Sequence, residues 1–172
     1  MQRQRSTDDA TTTTRLRETL RRGDFFAQLP DAALDELIGV TEPVALEEGA
    51  TLIAEGDEAE NAFVILTGEV EILRRSGEID VPIGVRGAGE IVGEMGMLSG
   101  SGRTATVRAR VPSTVLPISR EVFERTLVAN PTAMLALLRT VIRRLQGAES
   151  RLVQHQKMAA LGTLAAGLAH EL

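Results

Sequence analysis

Residues Gly56 to Leu73 read GDEAENAFVILTGEVEIL, and this stretch decides the fold prediction. Ala62 to Leu66 is a continuous apolar run of strand length, which is typical of a strand buried on both faces. Val70 to Leu73 alternates apolar and polar residues, which indicates a strand with one buried face. The turn residues Thr67-Gly68-Glu69 separate the two runs. The stretch therefore predicts two consecutive strands with a very short connection.

The strand pattern extends outward from Val44 to Ile118, where glycines and other turn residues recur about every eight to twelve positions. Helical spacing of apolar residues appears before it, from Phe25 to Ile38, and again after it. The following helices are predicted over Ser119 to Ala129, with Ser119 as the cap, and from Pro131 onward. We predict an α+β fold: an antiparallel, jelly-roll-like β-roll flanked by helices and followed by a long C-terminal coiled-coil helix.

The last helix carries a stripe of apolar residues at three-four spacing. The stripe predicts a coiled-coil seam and a parallel two-fold homodimer. In the alternative, the first half of the stripe packs back on the roll of its own chain. The stripe consists of Met134, Leu138, Val141, Leu145, Ala148 and Leu152.

Composition excludes several classes of function. A formal net charge of -5 disfavours a general nucleic-acid surface, which needs excess Lys and Arg. The absence of cysteine excludes disulfides, thiolate metal sites and cysteine nucleophiles, and no metal site is predicted. The weakly polar run from Met158 to Ala169 is shorter than the roughly 20 residues that span a bilayer. With no signal-like N-terminus, the expected location is cytoplasmic, without a membrane anchor or a nucleic-acid partner.

The segment from Gly93 to Ala109, GEMGMLSGSGRTATVRA, has the residue types of a phosphate site. Its glycines allow backbone N–H groups to approach an anion, and Arg103 supplies a guanidinium with fork geometry. Glu94 would repel a phosphate but is suited to accept a hydrogen bond from a sugar hydroxyl. Phosphate plus ribose is the simplest ligand with both features. The alternative is an internal ion pair between Glu94 and Arg103 at a turn.

This segment resembles the phosphate-binding cassette of the cyclic-nucleotide-binding domain family, with Gly93-Glu94 and Arg103-Thr104-Ala105 at the motif positions. Residues 56–73 resemble the glycine-punctuated hairpin of the family, and residues 118–131 resemble the helix after its roll. The resemblance covers about residues 24–150. It implies a catabolite activator-like β-roll.

Carried over by position, the resemblance implies that Glu94 binds the ribose 2′-hydroxyl and that Arg103 binds the cyclic phosphate. Backbone N–H groups of Met95, Gly96 and Ala105, with the Thr104 hydroxyl, would complete an anion site that begins at Gly93. No cofactor or metal is implied, because one guanidinium and backbone donors balance a single negative charge.

The identity of the base is left open between cyclic AMP and cyclic GMP. The run RRLQ, from Arg143 to Gln146, resembles the catabolite activator branch, in which a following threonine contacts adenine. Ala148 stands at that position here. Thr104 resembles the arrangement in guanine-preferring members, and Glu149 offers an acceptor for base N–H groups. Cyclic AMP is preferred as the commoner bacterial ligand of the family.

Residues Gln156 to Leu172, QKMAALGTLAAGLAHEL, resemble the start of the dimerisation and phosphoacceptor helix of sensor histidine kinases. The resemblance implies that His170 is the phosphoacceptor nucleophile and that Glu171 takes or orients its proton. The motif is incomplete at Leu172, and in the alternative His170 is an ordinary residue of an Ala/Leu helix. No ATP-binding element is visible, so residues 1–172 alone are not expected to catalyse phosphorylation.

These observations predict the sensor part of an ATP-dependent histidine kinase that acts on a response regulator. Ligand binding would tighten residues 93–105 and shift the later helices. The rivals are a Crp-type effector domain of a transcription factor and a degenerate dimerisation module that binds nothing. The predicted divisions are a flexible tail (1–22), a cyclic-nucleotide-binding domain (23–130), a signalling helix (131–155) and a truncated phosphoacceptor helix (156–172).

Overall fold

The computed structural model describes the backbone of residues 12–170 and the side chains of residues 12–158 and 160. Helix α1 covers residues 12–20, and a 3₁₀ turn at Phe26–Gln28 follows it. The other helices are α2 (Asp31–Gly39), α3 (Glu94–Ser99), α4 (Arg120–Ala129) and α5 (Pro131–His170). The strands are β1 (Val44–Leu46), β2 (Thr51–Ile53), β3 (Asn61–Thr67), β4 (Glu69–Ser76), β5 (Ile79–Gly87), β6 (Ile91–Val92), β7 (Thr106–Ala109) and β8 (Ser113–Ser119).

The strands form two four-stranded antiparallel sheets, in the orders β1-β8-β3-β6 and β2-β7-β4-β5. The sheets pack face to face over a small apolar core, to which Ile65 and Val115 contribute from one sheet and Val70 and Val107 from the other. The predicted antiparallel roll with flanking helices is confirmed.

The expectation that residues 56–73 form a hairpin is wrong. β3 pairs with β6 and β8, whereas β4 pairs with β5 and β7, so the two strands belong to different sheets. Gly68 connects them with φ +83, and a Cβ there would lie 2.2 Å from the Ser113 Oγ and 2.6 Å from the Pro112 carbonyl oxygen. The glycine therefore carries the chain from one sheet to the other at a point of close backbone approach.

A larger core lies between the helices and the first sheet, with Phe26, Leu34, Leu116 and Phe123 among its fully buried side chains. α1 contributes Leu20, which is 0% exposed. The predicted flexible tail over residues 1–22 is therefore wrong for its second half, while residues 1–11 lie outside the described residues. Leu16 and Leu20 of this helix both pack on the core.

The two C-terminal helix boundaries follow the sequence signals. The Ser119 hydroxyl accepts a hydrogen bond from the Val122 N–H at 3.4 Å, as an N-cap does. α5 begins at Pro131, where the missing N–H of proline costs nothing. In the part of the chain that the structure describes, no helix has the length and hydropathy that a membrane span requires.

The predicted apolar stripe of α5 is divided between two faces. Met134 and Val141 pack partly against the large core beside the buried Ala133 and Leu137, as the alternative for the first half of the stripe stated. The exposed apolar face of this half of the helix consists of Leu138 and Leu145 from the predicted stripe together with Leu135 and Ile142, which were not in it. The reason is the rotation of α5 about its own axis. The helix face that carries Ala133 packs on the core, and Met134 and Val141 therefore point toward the core as well.

Candidate functional site

Seven residues predicted for the ligand site line one cavity of about 160 Å³ between the second sheet, α3 and α5. These residues lie directly after strand β6, in α3 and in the loop before β7. The residues are Gly93, Glu94, Met95, Gly96, Arg103, Thr104 and Ala105.

Two glycines of this segment allow close packing around α3. Gly93 has φ +80, and a Cβ there would lie 2.7 Å from the Arg103 Nη1 and 2.9 Å from the Ile53 Cδ1. A Cβ at Gly96 would lie 2.5 Å from the Gly102 carbonyl oxygen. Any side chain at Gly93 would thus displace the guanidinium, and any at Gly96 would separate α3 from the Gly102 loop. The glycines bring Arg103 against the backbone at the start of α3.

Arg103 is the buried cation of the cavity, with 8% of its surface exposed. Its Nη1 donates to the Gly93 carbonyl oxygen at 3.1 Å, and its guanidinium lies 6.0 Å from the centre of the Phe63 ring. Burial lowers the pKa of Arg103, and the charge of Asp57 opposes this shift in part. Among the described side chains, no carboxylate forms an ion pair with Arg103. Its remaining N–H donors are therefore suited to an anion in the cavity.

Glu94 is buried to 2% exposure and is paired with an arginine of α5. Its Oε1 accepts from the Arg144 Nη1 at 2.6 Å. The same Arg144 nitrogen donates to the Ile91 carbonyl oxygen at 2.7 Å. The alternative of an ion pair between Glu94 and Arg103 is wrong: the two side chains line the same cavity but bond to different partners.

Arg144 is the site residue that sequence reasoning missed. It lies in the RRLQ run, but the motif does not show which arginine faces the roll. Helical phase would have shown it, because Arg144 follows the inward-facing Leu137 and Val141 by seven and three positions. Arg143, one position earlier, is exposed and pairs with Asp24.

The rest of the cavity wall is mainly apolar. Ala148, at the position where the adenine contact was expected, lines the cavity, whereas Glu149 lines a neighbouring groove. The cavity is smaller than the roughly 300 Å³ at which ligand pockets usually begin. Since Arg144, Leu145 and Ala148 all come from α5, an outward movement of this helix would enlarge the cavity. Further lining comes from Ile53, Ile72, Arg74, Ile83, Arg86, Val92 and Val107.

The predicted phosphoacceptor is remote from this cavity. α5 continues from Ala148 to His170, a distance of about 33 Å at about 1.5 Å per residue. The His170 side chain and all of Glu171 lie outside the described residues.

Comparisons with known proteins agree with this architecture. Residues 43–130 match the family model described as cyclic nucleotide-binding domain. Over 109 residues, 63% of this chain, the sequence is 28% identical to the cGMP-dependent protein kinase egl-4 of Caenorhabditis briggsae, of which the match spans 14%.

Solved structures give the same result. The sensor domain of the transcriptional regulator DNR from Pseudomonas aeruginosa superposes with a TM-score of 0.65 at 28% identity, covering 74% of this chain and 87% of that one. The cAMP-bound structure of PfPKA-R (141-441) superposes with a TM-score of 0.60 at 26% identity, covering 66% and 41%. The family model covers half of the chain, and the cavity lies within the matched segment apart from its α5 wall. The chain belongs to the cyclic nucleotide-binding domain family.

Proposed function

We propose that this chain senses a cyclic nucleotide in the cavity between Glu94 and Arg103. One observation carries the proposal: the two side chains line one cavity, and neither is bonded to the other. Arg103 would bind the cyclic phosphate with its free donors, and Glu94 would accept from the ribose 2′-hydroxyl. Backbone N–H groups around Met95, Gly96 and Ala105, with the Thr104 hydroxyl, would complete the anion site.

The bond between Glu94 and Arg144 links this ligand to α5. A ribose hydroxyl at Glu94 would share or replace the 2.6 Å bond from Arg144. Ligand entry would thereby change the contacts that hold this part of α5 on the roll. A shift from 1:99 to 99:1 between two arrangements of the helix needs about 5.5 kcal/mol of differential affinity. The charge-assisted hydrogen bonds to one ligand in each subunit, added over the two subunits of a dimer, would contribute a differential affinity that approaches this value.

The expected ligand is cyclic AMP, with cyclic GMP as the alternative. The neighbour PfPKA-R was solved with cAMP, while the kinase relative is cGMP-dependent by name. Calorimetric titration with each nucleotide tests the proposal. We expect one molecule bound per chain and tighter binding of cyclic AMP. Failure of both nucleotides to bind at millimolar concentration would contradict the proposal and favour the degenerate dimerisation module.

The exposed apolar face of α5 favours a homodimer. Leu138 and Ile142 lie at its centre and are about half exposed, which is costly for neighbouring large apolar side chains. We expect the double variant Leu138→Glu with Ile142→Glu to sediment as a monomer where the parent chain sediments as a dimer. Val128→Glu, at an exposed apolar position on α4, is the matched control and is expected to leave the dimer intact. A dimer that persists in the double variant contradicts this interface.

The sensor is proposed to act on a histidine kinase through His170. Within the described residues α5 has no turn between Pro131 and His170, whereas a transcription factor of the Crp type needs a helix-turn-helix after this helix. The kinase domain that the resemblance implies would bind ATP and transfer its γ-phosphoryl group to His170, releasing ADP, and the phosphoryl group would then pass from His170 to a response regulator. In the full-length protein, we expect ATP to label the wild type with an acid-labile phosphate and His170→Gln to remain unlabelled. Label retained by the variant would refute this assignment.

A further inference from the structure

A second cavity, of about 440 Å³, lies between the N-terminal segment, β5 and α5. Its volume falls within the range of about 300–1,000 Å³ that small-molecule pockets occupy. We call it the arginine cleft, because five arginines line it: Arg22, Arg86, Arg143, Arg144 and Arg151. The cavity lined by Glu94 and Arg103 is called the nucleotide cavity below. Arg86 and Arg144 line both cavities, whereas Arg22, Arg143 and Arg151 line only the arginine cleft.

The positive charges of the arginine cleft exceed the carboxylates that balance them. Asp24 pairs with Arg143 at 2.7 Å. Glu90 is shared, at 3.4 Å from Arg144 and 3.5 Å from Arg86. Arg144 is further balanced by Glu94 at the back of the cleft.

Two arginines remain without a carboxylate. Among the described side chains, neither Arg22 nor Arg151 forms an ion pair, and the Arg151 Nη1 donates only to the carbonyl oxygen of Ile83. The cleft therefore holds five guanidinium groups against three carboxylates, an excess of two positive charges.

Arg86 shows that these charges act on one another. Its side chain is only 20% exposed, and its Nη1 donates to the Val85 carbonyl oxygen at 2.7 Å. Burial lowers the pKa of Arg86, and repulsion from Arg144 and Arg151 lowers it further, against the opposing charge of Glu90. An anion in the cleft would relieve this repulsion and use the fork geometry of several guanidinium groups at once.

We propose that the arginine cleft is a second ligand site, for a small polyphosphate-type anion with two or more negative charges. The excess of two positive charges selects against a singly charged ligand. A cyclic nucleotide carries one negative charge and has its own guanidinium, Arg103, in the other cavity. The concave shape and the volume fit a compact anion better than an extended acidic chain.

Calorimetric titration with inorganic triphosphate in magnesium-free buffer tests the arginine cleft. We expect one triphosphate per chain and weakening of about tenfold or more in the double variant Arg22→Gln with Arg151→Gln, since each arginine contributes charge-assisted hydrogen bonds. Both side chains are exposed, and thermal melting monitored by circular dichroism checks that the variant is folded.

Two control variants distinguish binding in the cleft from general charge attraction and from binding in the nucleotide cavity. Arg110→Gln with Arg125→Gln removes two positive charges elsewhere on the surface and is expected to change the affinity by about twofold or less. Arg103→Ala is expected to leave triphosphate binding unchanged. No heat at millimolar triphosphate, an equal loss in the Arg110/Arg125 variant, or loss in Arg103→Ala would each overturn the proposal. Binding of an acidic peptide in place of triphosphate would also overturn it.

Discussion

Replacing Arg103 with alanine is expected to weaken cyclic nucleotide binding by about a hundredfold or more, with little loss of folding stability. Removing one partner of a buried, charged hydrogen-bonded pair costs about 2–5 kcal/mol of binding free energy. Among the described residues, however, the Arg103 side chain makes one hydrogen bond, to the Gly93 carbonyl oxygen, and one contact with the Phe63 ring. The ligand phosphate would lose the only side-chain cation between Gly93 and Ala105, while the fold would lose one side-chain hydrogen bond and one ring contact.

Calorimetry of the variant and of two controls measures this effect. Arg103→Lys keeps the charge without the planar fork and is expected to bind with intermediate affinity. Arg108→Ala removes a nearby arginine that pairs with Glu71 and does not line the cavity, so its affinity is expected to match that of the parent chain. An unchanged affinity in Arg103→Ala would refute the assignment of the phosphate position.

Replacing Arg144 with alanine is expected to lower the free energy of unfolding by about 3 kcal/mol. The reason is the burial of Glu94, which is 2% exposed and pairs with an Arg144 side chain that is itself 12% exposed. Without Arg144, the buried carboxylate of Glu94 would lose the cation to which it is bonded. The Ile91 carbonyl oxygen would lose a donor at the same time. Urea denaturation followed by circular dichroism measures the change.

Arg143→Ala is the matched control for this loss. It removes the adjacent arginine of the same helix, but the side chains of Arg143 and Asp24 are about two-thirds exposed, so the expected cost is at most about 1 kcal/mol. A double variant, Glu94→Leu with Arg144→Leu, removes both charges and is expected to recover most of the stability. Equal losses in Arg143→Ala and Arg144→Ala would show that the buried pair has no special role.

The strands and helix boundaries were predictable because their causes are local. The apolar run at Ala62–Leu66 indicated a buried strand, and β3 is one. Ser119 and Pro131 marked helix starts through the hydrogen-bonding capacity of single residues. The pairing of β3 and β4 was mispredicted, because the same short glycine turn serves a hairpin or a passage between two sheets. The choice depends on β8 and β5, which lie elsewhere in the chain.

The seven cassette residues and Ala148 of α5 were named from the sequence and line the cavity, but the ion pair between Glu94 and Arg144 was not predicted. The glycines and Arg103 lie within one short segment, so their types and spacing indicate their shared chemistry. The partner of Glu94 lies 50 positions away, and nothing near Glu94 in the sequence distinguishes Arg144 from Arg103 or Arg143. The arginine cleft escaped prediction for the same reason, because its members come from separate segments of the chain.

The sequence by itself indicated the types of the elements, the candidate phosphate cassette from Gly93 to Ala105 and the family to which the chain belongs. Apolar periodicity, glycine positions and capping residues act over a few neighbouring residues, and they can be read in order along the chain. Only the tertiary structure decided which sheet each strand joins, which face of α5 rests on the roll, and that Glu94 binds Arg144. These outcomes depend on contacts between distant segments, and such contacts are selected by the packing of the whole core and by the cost of burying an unpaired charge.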